Sequence, residues 1–208
     1  MHISKNTIVR RIRRAAQNYK QYLLGKTFMF VYDNRYVEIM FKKVSFMHLT
    51  GVGSNLDAKN FFNHAIKGNT LKPSEISFNS SSHPFDLANK KTKVLSDLYK
   101  ITVNDTFIVE DVFTLTATYK IGITDVEMVI LFGEDIDSTG KKVSECLVPY
   151  SFRKESINNN KFSNMYSVDF VFSKQTGMKK YNEITFQDKK IEDLPELIKN
   201  KIDIQDRI

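Results

Sequence analysis

Apolar side chains near the start of the chain recur every three or four residues, which is the spacing of an amphipathic helix. The pattern begins at Asn6, a candidate cap, and stops at Gly25, a residue type that often ends helices. The opposite side of the same stretch carries Arg10, Arg13, Arg14 and Lys20. The pattern therefore predicts a leading helix within residues 1–25 that has a basic outer face.

Two β-rich runs follow this helix. Thr27–Tyr32 and Tyr36–Met40 are separated by the turn sequence DNR, so they predict a hairpin. Helical spacing returns twice, over Asp57–Ile66 and over Lys90–Tyr99. In the second of these helices the pattern places Lys91 outward, together with its neighbouring lysines.

After residue 105 the spacing changes from helical to alternating, which indicates strands. Thr106–Tyr119 and Ile123–Phe132 predict two long antiparallel partners that reverse direction at Gly122. The remaining predicted elements are strands over Cys146–Ser151, Met165–Ser173 and Tyr181–Phe186 and a polar helical tail from Leu194. Helices that precede a run of strands predict an α+β fold.

The length of 208 residues allows one full core, so we expect a single α+β domain. Its parts are the leading helix (1–25), a core of helices and antiparallel strands (26–190) and the polar tail (191–208). No apolar run reaches the roughly 18 residues that span a bilayer, and the lone Cys146 has no partner for an internal disulfide. These features predict a cytoplasmic protein without a membrane partner.

The formal net charge of +7 is concentrated at the start of the chain. Residues 1–50 contain ten Lys or Arg and two acidic residues, a net of +8, so the remaining residues sum to −1. Residues 101–140 are acidic, and residues 141–190 are basic again. Two basic segments that meet on one face attract a polyanion, which predicts nucleic acid as a partner. A basic surface that is merely solvated is the alternative.

Three kinds of site find little support in the sequence. The four histidines are scattered, without the paired spacing of a zinc site. The segment GVGSN lacks the lysine and the further glycine of a nucleotide-binding loop. Cys146 lies in an apolar run, where a small core thiol is the commoner interpretation. We therefore expect neither a metal ion nor a small-molecule cofactor.

Cleavage of RNA through its own 2′-hydroxyl needs only proton transfer and positive charge. Histidine suits both proton-transfer roles, while Lys and Arg stabilise the charged phosphorane. The candidates for these roles are Lys42, Lys43, His48, Thr50, Ser151, Arg153 and Lys174. Structural interpretations stay open, because FKKVSFMHLTG could be the end of a buried strand, with His48 satisfied structurally and Thr50 capping a turn.

Three segments resemble a known group of nucleases. They are AAQNYKQYLLGKTFMFVY, VEIMFKKVSFMHLTGV and AKNFFNHAIKGNTLKPSEISF. They resemble the opening of the phage-associated nuclease families grouped with barnase, EndoU, colicin and RelE toxins, in particular the fourth phage-associated group. The resemblance runs from about Ala15 to Phe186. Its most distinctive element is the F-x-H-L-T-G core, which spans residues 46–51 here.

The resemblance implies leading helices packed on a twisted antiparallel sheet, with metal-independent RNA cleavage on the exposed face. It places His48 and Thr50 in the site, and it places Ser151 and Lys174 on neighbouring strands. Proteins of this type are typical of phages and mobile elements, and their toxin members are held by an antitoxin. An antitoxin or inhibitor protein is therefore an expected partner beside RNA.

These observations lead to the hypothesis of a metal-independent endoribonuclease, the toxin of a toxin–antitoxin or phage-related system. The hypothetical catalytic set is His48, Thr50, Lys43, Ser151, Arg153 and Lys174, and the nucleic-acid-binding set is Arg10, Arg13, Arg14 and Lys42. His48 is the general acid or base, and Thr50 orients the scissile phosphate. The alternative is a protein of a mobile element that binds nucleic acid, an antitoxin or another partner without cleaving RNA.

Overall fold

The leading helix is present as predicted in the computed structural model, which describes residues 3–68, 70–114, 117–154 and 161–204. Helix α1 spans Lys5–Asn18 and continues as a π-helical turn over Tyr19–Leu23. Its cap is Ser4 rather than Asn6, because the Ser4 hydroxyl accepts a hydrogen bond from the backbone N–H of residue 7 at 3.3 Å. Gly25 follows the helix with φ = 78°, a left-handed conformation that glycine adopts without strain.

Strands β1 (Lys26–Tyr32) and β2 (Arg35–Met40) form the predicted hairpin. Asp33 and Asn34 occupy its turn with φ values of 47° and 58°. Two consecutive left-handed residues give a turn whose twist matches that of the strands, and Asp and Asn tolerate this conformation well. The prediction from the DNR sequence is confirmed.

The segment FKKVSFMHLTG is helical rather than the end of a strand. A 3₁₀ turn covers Lys43–Ser45, and helix α2 covers Phe46–Thr50. Phe46 and Leu49 are three residues apart and both are fully buried, so the apolar positions follow helical spacing. Gly51 ends α2 in the left-handed conformation, with φ = 74°. The strand-end interpretation is therefore wrong.

Two longer helices follow α2. Helix α3 spans Ala58–Ile66, and helix α4 spans Phe85–Val94 and continues as a 3₁₀ helix over Leu95–Thr102. A small antiparallel pair, β3 (Gly53–Ser54) and β4 (Ile76–Ser77), flanks α3 in the chain. Both helices lie close to their predicted positions.

Helix α4 begins at Phe85, earlier than the predicted start at Lys90. The earlier start creates a buried stripe through Ala88, Lys91 and Leu95 at three- and four-residue spacing. Lys91 is only 8% exposed. The prediction that Lys91 points outward is therefore wrong, whereas Lys90 is exposed as predicted.

The alternating stretch after residue 105 forms three strands where the sequence predicts two. They are β5 (Phe107–Phe113), β6 (Thr118–Thr124) and β7 (Val129–Ile136). Gly122 lies inside β6 rather than at a reversal. An added Cβ atom would meet the side chains of Val109 and Leu131 at 2.9 Å, so the position favours glycine. The chain reverses after Asp125 instead, whose carboxylate accepts two backbone hydrogen bonds.

The later part of the chain supplies the remaining strands. They are β8 (Lys142–Arg153), β9 (Asn164–Ser167), β10 (Phe170–Gln175) and β11 (Glu183–Gln187). The predicted strand Met165–Ser173 is two strands, because the chain changes partner between β9 and β10. The N–H of Val168 donates to the carbonyl of Thr106 at 3.0 Å, and the N–H of Asp169 donates to the carbonyl of Val31 at 2.8 Å.

The main sheet of the described residues has nine strands in the order β11-β10-β1-β2-β8-β7-β6-β5-β9. Neighbouring strands are antiparallel, with one exception. β2 and β8 pair in parallel at Ile39 and Leu147. The α+β prediction is confirmed, and this parallel contact is its one departure from the predicted antiparallel arrangement.

The two faces of the sheet carry separate cores. Phe28 and Phe30 of β1 belong to the main core, which helices α1 to α4 cover. Met29 and Val31 alternate with them and belong to a second core on the other face. The segment after residue 190, which contains helix α5 (Glu196–Lys199), covers that second core.

The predicted polar tail is helical only in part, and it packs on the sheet. Leu194 and Ile198 of this segment are 3% and 0% exposed, so its few apolar side chains anchor it. None of the helices within the described ranges combines the length and the apolar character that crossing a bilayer requires.

Candidate active site

Helix α2 is held in place by aromatic packing on its inner side. The Phe46 ring meets the rings of Tyr19 and Phe62 edge-on, with centroid distances of 5.1 and 5.2 Å. Leu49 is fully buried one turn further on. His48 lies on the outer side of this helix and is exposed. The fold therefore presents His48 to solvent on a firmly packed support.

An ion pair fixes the chain that leads into α2. Lys42 Nζ lies 2.5 Å from Asp135 Oδ1, and the Ser144 hydroxyl donates a hydrogen bond to Asp135 Oδ2 at 2.9 Å. Asp135 is 3% exposed, so the pair is shielded from solvent on the carboxylate side. Lys42 is thus engaged within the protein, whereas Lys43 is exposed beside it.

Thr50 lies inside the protein, with none of its surface exposed. Its hydroxyl donates a hydrogen bond to the carbonyl of Met47 at 2.6 Å and accepts one from the N–H of Val52 at 3.3 Å. These bonds join the last turn of α2 to the chain that follows it. In this arrangement the Thr50 hydroxyl stabilises the helix that carries His48 and does not face solvent.

Helix α2 packs against β8 and α4, and each of these elements carries a further cation. Arg153 is the last residue of β8 and is half-buried. The Lys91 side chain passes over Gly51, where its Cδ atom would lie 2.9 Å from an added Cβ. Burial and, second, the charge of Arg153 lower the pKa of Lys91 to about 8. We use the name cationic junction for three basic residues on elements that α2 joins by packing against both α4 and β8. They are His48 of α2, Lys91 of α4 and Arg153 of β8.

Ser151 and Lys174 are not part of the cationic junction. β8 and β10 are separated by β1 and β2, so the prediction that the two residues lie on neighbouring strands is wrong. Ser151 pairs with Leu131, and Arg153 pairs with Val129. Both partners belong to a small apolar cluster separate from the main core that α2 joins, so β8 directs Ser151 and Arg153 to the same face. Lys174 Nζ lies 4.3 Å from the centre of the Tyr181 ring.

Lys174 belongs instead to a polar cluster on the face of the second core. The Tyr181 hydroxyl donates a hydrogen bond to Glu38 Oε1 at 2.9 Å, and burial raises the pKa of this tyrosine. Cys146 lies near the same carboxylate, and burial followed by the charge of Glu38 raises the pKa of its thiol. A raised thiol pKa reduces the thiolate fraction, which favours the interpretation of Cys146 as a thiol without a nucleophilic role.

The arginines of α1 divide into two kinds. Arg10 and Arg14 are exposed and lie one turn apart on the same side of the helix. Arg11 donates a hydrogen bond to an asparagine side chain of α4 at 2.8 Å, and Arg13 donates one to the carbonyl of Leu71. Arg11 and Arg13 therefore help to dock α1, and Arg10 and Arg14 form its outward basic pair.

Comparison with known protein families decides the class of the chain. The family model described as phage-Barnase-EndoU-ColicinE5/D-RelE like nuclease4 matches residues 11–190 of the 208. The chain belongs to this family of phage-associated nucleases. Neither the curated proteins nor the solved structures give a significant match. The predicted resemblance to this family is thereby confirmed.

The cationic junction of this nuclease lies wholly within the matched residues. His48, Lys91 and Arg153 all fall between residues 11 and 190. The segment that covers the second core begins at residue 191 and lies outside the matched span. Within the described ranges, no three His, Cys, Asp or Glu side chains are arranged to hold a metal ion.

Sequence reasoning missed Lys91, although a signal was present. Ala88, Lys91, Thr92 and Leu95 follow the three- and four-residue spacing of a buried helix face. The predicted helix begins at Lys90 and therefore leaves out Ala88. Without Ala88 the buried stripe is not recognised. A lysine is almost never fully buried without a partner, so a lysine on such a stripe is a candidate for function.

Gly51→Ala is expected to destabilise the nuclease by about 1–3 kcal/mol and to lower its activity. The φ of 74° disfavours any residue with a Cβ atom. The added methyl group would also meet Lys91 Cδ at 2.9 Å and displace the lysine. Thermal unfolding and a cleavage assay on the same preparation measure the two effects.

The matched control for this substitution is Gly140→Ala. Gly140 has a similar φ of 83°, but no atom lies within 4 Å of an added Cβ. It therefore carries the backbone strain without the contact. A loss of activity in Gly51→Ala no greater than in Gly140→Ala would show that the contact between Gly51 and Lys91 is unimportant.

Proposed function

We propose that this phage-associated nuclease cleaves RNA at its 2′-hydroxyl without a metal ion, and that His48 performs one of the two proton transfers. The observation that carries the proposal is the exposed His48 on helix α2, which packs against β8, the strand that ends at Arg153. Histidine exchanges protons near neutral pH, and arginine holds phosphate oxygens in a bidentate manner. These two side chains supply the main requirements of the reaction.

The proposed reaction uses a nucleophile that RNA itself provides. A base removes the 2′-proton, the 2′-oxygen attacks the adjacent phosphorus, and the bond to the leaving 5′-oxygen breaks as an acid protonates that oxygen. The products are a 2′,3′-cyclic phosphate and a 5′-hydroxyl. His48 performs one of the two proton transfers, and Arg153 stabilises the charge on the non-bridging oxygens. DNA lacks the nucleophile and is not cleaved by this route.

Other cations of the predicted set have supporting roles in the proposal. Lys43 is exposed beside α2, so it contacts the phosphate next to the scissile one. Arg10 and Arg14 contact phosphates further along the strand. Thr50 acts as a positioning residue, because its hydroxyl is bonded within the last turn of α2. Contacts of this kind weaken as the salt concentration rises, because the release of counterions from the nucleic acid on binding is then less favourable.

The test is a cleavage assay on single-stranded RNA in the presence of a chelator, with the DNA of the same sequence as control. RNA cleavage that survives the chelator and leaves a cyclic phosphate is the expected result. Cleavage of both nucleic acids, or cleavage that stops with the chelator, would contradict the proposal. Binding without cleavage would favour the alternative of a nucleic-acid-binding protein of a mobile element.

The toxin role belongs to the same proposal. A ribonuclease that cuts cellular RNA slows growth unless a second protein blocks its site. The net charge of +7 suits an acidic inhibitor or antitoxin that covers the exposed cations. Expression in a host without an inhibitor should slow growth, and normal growth with intact RNA would contradict the toxin role.

A further inference from the structure

Helix α1 lies beside α4 and its 3₁₀ continuation, and two hydrogen bonds show how the helices are aligned. Arg11 donates a hydrogen bond to Asn89 Oδ1 at 2.8 Å, and Asn18 donates one to the carbonyl of Ser96 at 2.9 Å. The residue numbers rise by seven on both helices between these contacts, so the helices run in the same direction. All four residues are half-buried. We call this line of contact the α1–α4 seam.

Two exposed cations flank the α1–α4 seam, one on each helix. Arg14 follows Arg11 by three residues, and Lys93 follows Asn89 by four, so each cation lies on the side of its helix that carries the seam contact. Neither cationic side chain forms a hydrogen bond or an ion pair within the described ranges. Both charges are therefore available to a ligand.

The α1–α4 seam ends at a pair of stacked tyrosines. The centroids of the Tyr22 and Tyr99 rings lie 4.4 Å apart, and the ring planes make an angle of 22°. Tyr99 covers one face of the Tyr22 ring, and Tyr22 is still 40% exposed. An exposed aromatic ring on a fixed support is a platform on which another flat ring can stack.

A π-helical turn brings Tyr22 to the side of α1 that carries Arg14. The N–H of Leu24 donates a hydrogen bond to the carbonyl of Tyr19 at 3.0 Å, which is the i→i+5 bond of a π-helix. In an unbroken α-helix Tyr22 would be rotated by about 80° from Arg14. A π turn holds more residues than an α turn, so it reduces this rotation. Such turns are frequent at functional sites.

The charge around the α1–α4 seam favours an anionic ligand. Helix α1 contains no acidic residue, and its exposed Arg10 adds to the charge of Arg14. On the other helix, Asp97 is paired with Lys100 at 3.3 Å. Asp86 is the remaining acid of that helix and lies in its first turn. A surface with this excess of cations attracts a polyanion.

We propose that the α1–α4 seam binds single-stranded nucleic acid, with backbone phosphates at Arg14 and Lys93 and one base stacked on Tyr22. The bases of a single strand expose their flat faces, whereas those of a duplex are stacked on each other, so the tyrosine pair favours a single strand. An acidic protein could pair with the cations, but it would leave the tyrosine platform unexplained. The proposal rests on the proposed function for the identity of the strand as RNA.

The test measures how tightly a short single-stranded 2′-deoxy oligonucleotide binds at several salt concentrations. This probe lacks the 2′-hydroxyl and is not cleaved by the proposed route. Tyr22→Leu should weaken binding by about 5- to 100-fold without changing the salt dependence, because it removes stacking and no charge. Arg14→Gln and Lys93→Gln should each reduce the slope of log affinity against log salt by about 0.7, because each removes one phosphate contact.

Three further variants control this comparison. Tyr22→Phe keeps the ring and should bind like the wild type. Tyr150→Leu removes a tyrosine of β8 that is 43% exposed, and Lys141→Gln removes an exposed charge just before β8. Both should change affinity and salt dependence much less than the substitutions at the α1–α4 seam.

A direct measurement of stacking is possible because the chain contains no tryptophan. Tyr22→Trp places a single indole at the platform, and an aromatic ring there stacks with a base. The oligonucleotide should quench its emission, whereas inorganic phosphate, which has no ring, should not. Emission that the bound oligonucleotide leaves unchanged would contradict a base at this position.

The outcomes separate the α1–α4 seam from the proposed ribonuclease reaction. Unchanged affinity in Tyr22→Leu, equal wild-type affinity for single strand and duplex, or unchanged salt slopes in Arg14→Gln and Lys93→Gln would overturn the binding surface. So would a failure of the wild type to bind the oligonucleotide at low salt. A wild type that binds through Tyr22 but does not cleave RNA would support the surface and overturn the ribonuclease proposal. RNA cleavage with no effect of the three substitutions on binding would do the reverse.

Discussion

His48→Ala is expected to lower the rate of RNA cleavage by about 10²- to 10⁴-fold, the usual contribution of one proton-transfer group. His48 is exposed on α2, and the helix is anchored by Phe46 and Leu49, so the substitution removes the imidazole without disturbing the core. The midpoint of thermal unfolding should therefore stay close to that of the wild type. Initial rates on one RNA substrate, measured beside circular dichroism melts, test both statements.

The matched control for His48 is His64→Ala. His64 Nδ1 lies 3.0 Å from Glu75 Oε1, and the same carboxylate group accepts a backbone hydrogen bond from Lys72 at 2.6 Å. This histidine therefore links α3 to the turn that contains Glu75 and is not part of the cationic junction. His64→Ala should keep most of its cleavage activity. Equal activity in His48→Ala and His64→Ala would exclude His48 from the reaction.

The part of the fold that could be predicted is the part set by local patterns. The apolar spacing of α1, its end at Gly25 and the DNR turn of the first hairpin each depend on residues close together in the chain. The structure matches these predictions closely. The helix that carries Lys91 was also predicted, although its start was placed too late.

The errors arose where distant residues decide the conformation. Gly122 looks like a turn residue, but it is a strand glycine because Val109 and Leu131 leave no room for a Cβ atom. The strand break after β9 depends on hydrogen bonds to Thr106 and Val31, which are far away in the sequence. Packing and pairing of this kind leave no local signal that a single sequence displays.

The candidate site was also predictable only where the signal lies in residues close together in the chain. The F-x-H-L-T-G core marks His48 from the sequence alone, and the structure presents that residue at the surface. The role of Lys42 could not be foreseen, because its partner Asp135 lies 93 positions further along the chain. Two lysines that are neighbours in the sequence therefore have different environments. Lys42 forms an ion pair with Asp135, and Lys43 faces solvent.

Asp135→Ala is expected to lower the free energy of unfolding by about 2–3 kcal/mol, because it leaves the partly buried Lys42 without its partner. Asp135 is 3% exposed and accepts from both Lys42 Nζ and the Ser144 hydroxyl, so one substitution breaks two shielded contacts. Lys42 directly precedes the turn into α2. Cleavage should therefore fall together with stability, and denaturant unfolding beside the RNA assay measures both.

Glu145→Ala is the matched control, since Glu145 also lies 2.5 Å from a lysine, Lys142. Its side chain is 83% exposed, so solvent and salt screen the pair, and the unfolding midpoint should not change measurably. The two substitutions thus compare ion pairs of equal length that differ in how far they are buried. Equal effects would mean that burial does not strengthen the Asp135 pair. Partial recovery of stability in Lys42→Met combined with Asp135→Leu would show that the loss in Asp135→Ala comes from the stranded charge rather than from a cavity.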